Sequence, residues 1–246
     1  MRRRGDRLRI ASALLRAYLW PVRACPFAAT ELDSILTSLD IFADPTCPWC
    51  LIAKAELDQA LESRPEHMFD ITWHPFRLNP DLPASGMEHV AYMKARFKDE
   101  AGILAANAPV LRAAERLGLW INMAAIERVP QTLDAFRVLH WAGIEGAQTR
   151  VMSAMMRAYW REGRNIADHQ VLAEIGAASG MDRQMILRLL ATDADRQEVL
   201  TREAHARERG IRAVPTFIIA DSQVVPGAQP ADLWKQVIDE ITATRP

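Results

Sequence analysis

Asp44-Pro45-Thr46-Cys47-Pro48-Trp49-Cys50 is the stretch from which the rest of the chain can be read. Upstream of it, Leu36, Leu39, Ile41 and Phe42 make an apolar run of strand length that stops at Asp44-Pro45. Downstream, Cys50, Ala53, Leu57, Ala60 and Leu61 recur at helical spacing as far as Pro65. The cysteine pair therefore falls between a buried strand and the first turn of a helix. Phe69-Asp-Ile-Thr-Trp-His-Pro75 reads as a second strand. The order βαβ favours parallel pairing of the two strands through a right-handed crossover.

A Cys-x-x-Cys pair at a helix start places one thiol beside backbone N–H groups that have no partner within the helix, where the helix dipole favours negative charge. In such motifs the first thiol falls from about 8.5 to roughly 3.5–7.5, which makes Cys47 the expected nucleophile and the more exposed thiol, and Cys50 the resolving one. Pro48 is tolerated at an early helical position because it has no N–H to lose. Trp49 should flank the pair with apolar surface. Asp44 closes the strand beside the thiols and has two readings: it tunes their proton transfers, or it is a solvated turn aspartate before Pro45. A zinc site would need a second ligand pair. None exists, since Cys25 stands apart and His67, His74, His89, His140, His169 and His205 show no tight pairing, so no metal is expected.

The bulk numbers set broad limits. A chain of 246 residues, half of them apolar, can bury a full core without a disulfide scaffold. With Lys+Arg 30 against Asp+Glu 31, the formal charge of -1 gives no general attraction to nucleic acid or anionic lipid. Three cysteines, two of them in one motif, argue for a specialised pair rather than a secreted framework. The first 34 residues differ from the rest: Arg2, Arg3, Arg4, Arg7 and Arg9 precede an apolar stretch that Arg16 interrupts. Ile10-Ala-Ser-Ala-Leu-Leu15 is short for an export signal and Ala28-Ala29-Thr30 is a poor cleavage site. Residues 1–34 are read as a poorly ordered basic extension in preference to a weak signal, and no stretch reaches the ~18 apolar residues of a membrane span.

From 85 to 210 the pattern is helical almost throughout. Val90, Met93 and Phe97, then Phe136, Leu139 and His140, then Val151, Met155, Met156 and Tyr159, then Ile186, Leu189 and Leu190 form stripes that read as core. Strand chemistry returns at Val214-Pro-Thr-Phe-Ile-Ile219 and Gln223-Val-Val225, followed by the turn Pro226-Gly227 and a last helix from Pro230. Residues 35–84 and 211–246 thus form one α/β unit, interrupted by a helical insertion at 85–210. Pro215 opens an apolar strand, where a residue without an N–H belongs, and a cis Val214–Pro215 bond would suit that entry.

The segments Cys47-Pro-Trp-Cys50, Trp73-His-Pro-Phe-Arg-Leu-Asn-Pro80, Ala158-Tyr-Trp-Arg-Glu-Gly163, Val214-Pro-Thr-Phe217 and Gly227-Ala-Gln-Pro230 resemble the FrnE-like branch of the DsbA family, from Ile35 to the C-terminus. The resemblance implies a thioredoxin-like fold with a large all-helical insertion, catalytic Cys47 and Cys50, and a cis proline at 215. It implies substrate contacts from Trp49, Val214 and Pro215, with Pro48, Asp44 and His74 supporting; His74 reads as structural rather than as a general base. The expected function is thiol–disulfide exchange on dithiol or disulfide substrates, protein or small molecule, in the cytoplasm, with no nucleic-acid or membrane partner. Oxidation, reduction and isomerisation are carried together, because the potential of the pair sets the direction. Two alternatives remain: a glutathione-dependent isomerase or transferase similar to 2-hydroxychromene-2-carboxylate isomerases and kappa-class transferases, and a redox-regulated chaperone or binding module. Glutathione is disfavoured as a cofactor. Those relatives lack a resolving cysteine and hold glutathione with a Ser-Asp pair, whereas here Cys50 is present and the matching stretch is Gly227-Ala228-Gln229-Pro230. The N–H groups at the start of the last helix are left as an anion site.

Overall fold

Strand β1 (Thr37–Ala43) and strand β2 (Phe69–Pro75) pair in parallel, Thr37 opposite Phe69 and Ala43 opposite Pro75, with helix α1 (Pro48–Ser63) crossing between them. The structure, a computed structural model, describes residues 36–244; the basic extension at 1–34 and Cys25 lie outside the described residues. Two late strands, β5 (Thr216–Ile219) and β6 (Gln223–Pro226), complete the sheet in the order β2-β1-β5-β6, with β5 antiparallel to both its neighbours. The period of two along β1 divides the core. Leu39, Ile41 and Ala43 face the cluster that contains both cysteines, α1 and the last helix, α9 (Ala231–Ala243), while Phe42 faces a smaller cluster with Phe76, Ile211 and Ile218.

The insertion holds helices α2 (His89–Phe97), α3 (Glu100–Arg116), α4 (Leu133–Ile144), α5 (Gln148–Trp160), α6 (His169–Ala178), α7 (Arg183–Leu190) and α8 (Arg196–Glu208). Carboxylates cap several of them: Glu88 accepts from the N–H groups of Val90 and Ala91, Asp99 from that of Gly102, Asp168 from those of Gln170 and Val171. The insertion is not all-helical. Strands β3 (Met87–Glu88) and β4 (Arg128–Val129) form a short antiparallel ladder at the base of the α2–α3 hairpin. Two residues per strand are too few to leave a period in the sequence.

Insertion and sheet are joined by polar contacts as well as by packing. Gln148 of α5 closes the free edge of β2: its side-chain carbonyl accepts from Trp73 N–H at 2.8 Å and its amide donates to Trp73 O at 3.0 Å. The amide thus stands where a further strand would bond. Gly163 ends the α5 segment with φ +66, and a Cβ there would lie 2.1 Å from Ala125 O. Glycine is required, and it lets the Met123–Ala125 turn close against α5.

Candidate active site

Cys47 is the N-cap residue of α1, in extended conformation, and Pro48 takes the first helical position. Among the described residues the two free thiols are Cys47 and Cys50. Their environments differ. The Cys50 thiol beside Cys47 holds it below the ordinary thiol range, helped by the N–H groups of Cys50 and Trp49, against the opposing effects of burial and the Asp44 charge. Burial pushes Cys50 well above the ordinary range, and the neighbouring Cys47 reinforces the shift. Cys47 is the more accessible of the two, as its place at the helix start suggests, but at 4% exposed against 1% for Cys50 both thiols lie inside the protein. The insertion is the cause, since its helices wall the space in front of the sulfur.

The Val214–Pro215 peptide bond is cis, and Val214 O lies 3.7 Å from Cys47 Sγ, which places the start of β5 against the cysteine pair. Pro215 O accepts from Gly227 N–H, tying the turn to β6. No described group accepts from the Val214 N–H.

Asp44 is 1% exposed, which overturns the reading of a solvated turn aspartate. Its Oδ1 accepts from Thr46 N–H at 2.8 Å and from Thr46 Oγ1 at 2.7 Å; its Oδ2 accepts from Leu78 N–H at 2.7 Å and Thr132 Oγ1 at 3.1 Å. All four donors are neutral. Burial raises its proton affinity and these four bonds only partly offset that. Thr132 precedes α4 and Leu78 follows β2, so one carboxyl joins three parts of the chain at the cysteine loop. A second prop comes from α5, where Trp160 Nε1–H donates to Pro45 O at 2.9 Å.

A cavity of about 390 Å³ opens in front of Cys47. Thr46, Pro48, Trp49 and Val214 form its sulfur end, and Trp49, 39% exposed, stands at the rim. The α2–α3 hairpin contributes Tyr92, Met93, Arg96, Phe97 and Asn107. Tyr159 and Trp160 form another wall, and Tyr92 OH donates to Asn79 Oδ1 at 3.0 Å. The sequence places Tyr159 in a core stripe and in the family-like segment 158–163, and Asn79 in the segment 73–80, but gives neither of them, nor Tyr92 and Arg96, a role in the site.

His74 does not join the site. Its Nε2 pairs with Asp40 Oδ1 at 2.6 Å and its ring stacks on Phe42 at 4.8 Å, on the sheet face turned away from the cysteines. The anion site expected at the start of α9 is also occupied by the protein itself: Glu56 Oε2 accepts from Ala231 N–H at 2.8 Å, and Gln229 Nε2 donates to Pro226 O. Among the described residues no three His, Cys, Asp or Glu side chains gather as a metal site, and no helix is long and apolar enough to cross a membrane.

Residues 38–239 match the family described as the DSBA-like thioredoxin domain, and the chain belongs to that family. The match is to the family as a whole and singles out no FrnE-like branch. An uncharacterised protein of Bacillus subtilis, YwbO, is 28% identical over 207 residues, which cover 82% of this chain and 96% of that one. A probable DsbA oxidoreductase from Streptomyces coelicolor superposes with a TM-score of 0.74 at 25% identity, covering 85% of this chain and 92% of that one. A 2-hydroxychromene-2-carboxylate isomerase shares the fold, with a TM-score of 0.63 at 15% identity over 83% of this chain and 96% of that one.

Proposed function

We propose that the protein catalyses thiol–disulfide exchange, with Cys47 as nucleophile and Cys50 as resolving thiol. The observation that carries this reading is the asymmetry of the pair, one thiol held low at a helix start and its partner held high by burial. The Cys47 thiolate attacks one sulfur of a substrate disulfide, forming a mixed disulfide and releasing one substrate thiolate. Cys50 then loses its proton and attacks Cys47 Sγ, which forms the Cys47–Cys50 disulfide and releases the second thiolate; two electrons pass to the substrate. The reverse sequence donates the disulfide. Asp44 supports the second step as proton acceptor: it is buried beside both thiols, its charge raises both of them, and its own proton affinity is raised. Val214, next to the cis proline, offers an unused N–H to the substrate backbone, and Trp49 and Pro48 offer apolar contact.

The test is trapping. Cys50→Ser should accumulate a covalent mixed disulfide on Cys47 with any substrate disulfide, Cys47→Ser should accumulate none, and turnover should vanish in both. Alkylation of the reduced protein at mildly acidic pH should label Cys47 first. Preferential labelling of Cys50, or turnover that survives Cys47→Ser, would refute the assignment.

A further inference from the structure

The cavity in front of Cys47 carries more information than exchange chemistry alone requires. The lining holds no carboxylate. Its one permanent charge is the guanidinium of Arg96 on α2, which has neither an ion pair nor a hydrogen bond among the described residues. The neighbouring acids are committed elsewhere, Glu88 to the N–H groups of Val90 and Ala91 and Asp99 to that of Gly102. His89, also in the wall, is kept toward its neutral form by burial. A second polar group is unused: the hydroxyl of Tyr159, a residue 3% exposed, has no partner among the described residues, and burial keeps it protonated and therefore a donor. Tyr159 lines the cavity, where a ligand oxygen or water can accept from its hydroxyl.

Size points the same way. A space of about 390 Å³ falls at the small end of the roughly 300–1,000 Å³ of small-molecule sites. Cys47, 4% exposed, is reached through that space, which is walled by the α2–α3 hairpin on one side and by Tyr159 and Trp160 on another. A disulfide in a folded protein would have to bring two backbone segments into it.

We infer that the substrate of Cys47 is a low-molecular-weight disulfide carrying a carboxylate or comparable anion, seated in this cavity with its anion on Arg96. This rests on the exchange chemistry proposed above and narrows it to a substrate class. The reaction is the one already balanced: the small disulfide takes two electrons and leaves as two thiols, and Cys47 and Cys50 end as a disulfide.

The test uses single-turnover oxidation of the reduced full-length protein by three disulfides with similar cores: dithiodipropionate (a dianion), bis(hydroxyethyl) disulfide (neutral) and cystamine (a dication). Each rate is divided by that of dithiothreitol with the same disulfide, which removes intrinsic reactivity. The wild type should prefer the dianion to the neutral disulfide by about tenfold, as one charge-assisted contact predicts, with the dication slowest. Arg96→Glu, on an exposed helix position, should reverse the order of dianion and dication, and Arg96→Lys should keep the wild-type order. An order that is the same in wild type and Arg96→Glu would overturn the inference, as would faster oxidation of the wild type by insulin than by dithiodipropionate. If no disulfide oxidises the protein faster than it oxidises dithiothreitol, the exchange reading itself fails, a result distinct from the other two.

Discussion

Two carboxylates are buried near α1, Asp44 in the loop before it and Glu56 at its middle, and their surroundings could hardly differ more. Glu56, 3% exposed, accepts from Arg116 Nη2 at 2.6 Å and from the first N–H of α9 at 2.8 Å, so its charge meets a cation and a helix N-terminus. Asp44, beside the cysteines, meets four neutral donors and no cation. Both side chains are satisfied in hydrogen bonds, but only Glu56 is compensated in charge. A buried carboxylate with a counter-charge works as a joint, here between α1, α3 and α9. One without a counter-charge remains willing to take a proton, and next to two titrating thiols that willingness is the useful property.

The sharpest way to break this comparison is to remove the joint. Glu56→Ala leaves Ala231 N–H unsatisfied and Arg116 without its partner, and should cost about 3 kcal/mol of stability in urea or thermal unfolding. The rate per folded molecule should stay within about twofold. A selective loss of activity at unchanged stability would place Glu56 in the chemistry and erase the distinction.

A smaller effect is expected at Asp44. Asp44→Asn keeps the shape but removes the proton acceptor, and should slow resolution of the mixed disulfide about tenfold, or about 1.4 kcal/mol of barrier, with little change in the first attack. The stability of the two proteins should also diverge with pH. Because burial raises the proton affinity of Asp44 in the folded state, its contribution is full below the unfolded value of about 3.9 and is lost as pH rises through the folded value. The wild type should therefore lose stability relative to Asp44→Asn as pH rises through that window, measured by urea midpoints of the reduced proteins. Parallel curves would mean that Asp44 is charged throughout and serves only as a hydrogen-bond hub.

What the sequence revealed follows from how local each signal is. β2 ends where its apolar alternation ends, at Pro75, and the cysteine loop is legible because strand, proline and helix spacing all converge on it. The burial of Asp44 is illegible locally: two of its donors come from Leu78 and Thr132, 34 and 88 positions away, and nothing near Asp44 announces them. Tyr159 shows the same limit from the other direction. Its helical stripe correctly predicts burial, yet a stripe cannot reveal that the hydroxyl at its end borders a cavity whose far wall is α2. His74 is structural, as read, but its place among the supporting residues of the site fails because strand alternation tells which residues share a face and not which face the cysteines occupy.

The smallest effect is expected from glutathione, and the joint at Glu56 is the reason. In a site that holds the γ-glutamyl end of glutathione at the start of the last helix, the ligand carboxylate needs the free N–H groups of the first turn. Here Ala231 N–H is taken by Glu56, Leu233 and Trp234 donate to Pro230 O, and Asp232 adds a negative charge to the same turn. A ligand carboxylate would face two protein carboxylates in place of a pair of donors. Covalently attached glutathione should be short-lived as well, because Cys50 is an intramolecular thiol at high effective concentration and would displace it from Cys47. Calorimetry on the Cys47→Ser protein should therefore find binding no tighter than roughly millimolar, the order expected when Arg96 offers one charge-assisted contact and the start of α9 offers none. Micromolar affinity that survives Arg96→Glu would mean that the start of α9 rearranges to release Ala231 N–H, and that Glu56 is a displaceable occupant of a ligand site instead of a joint.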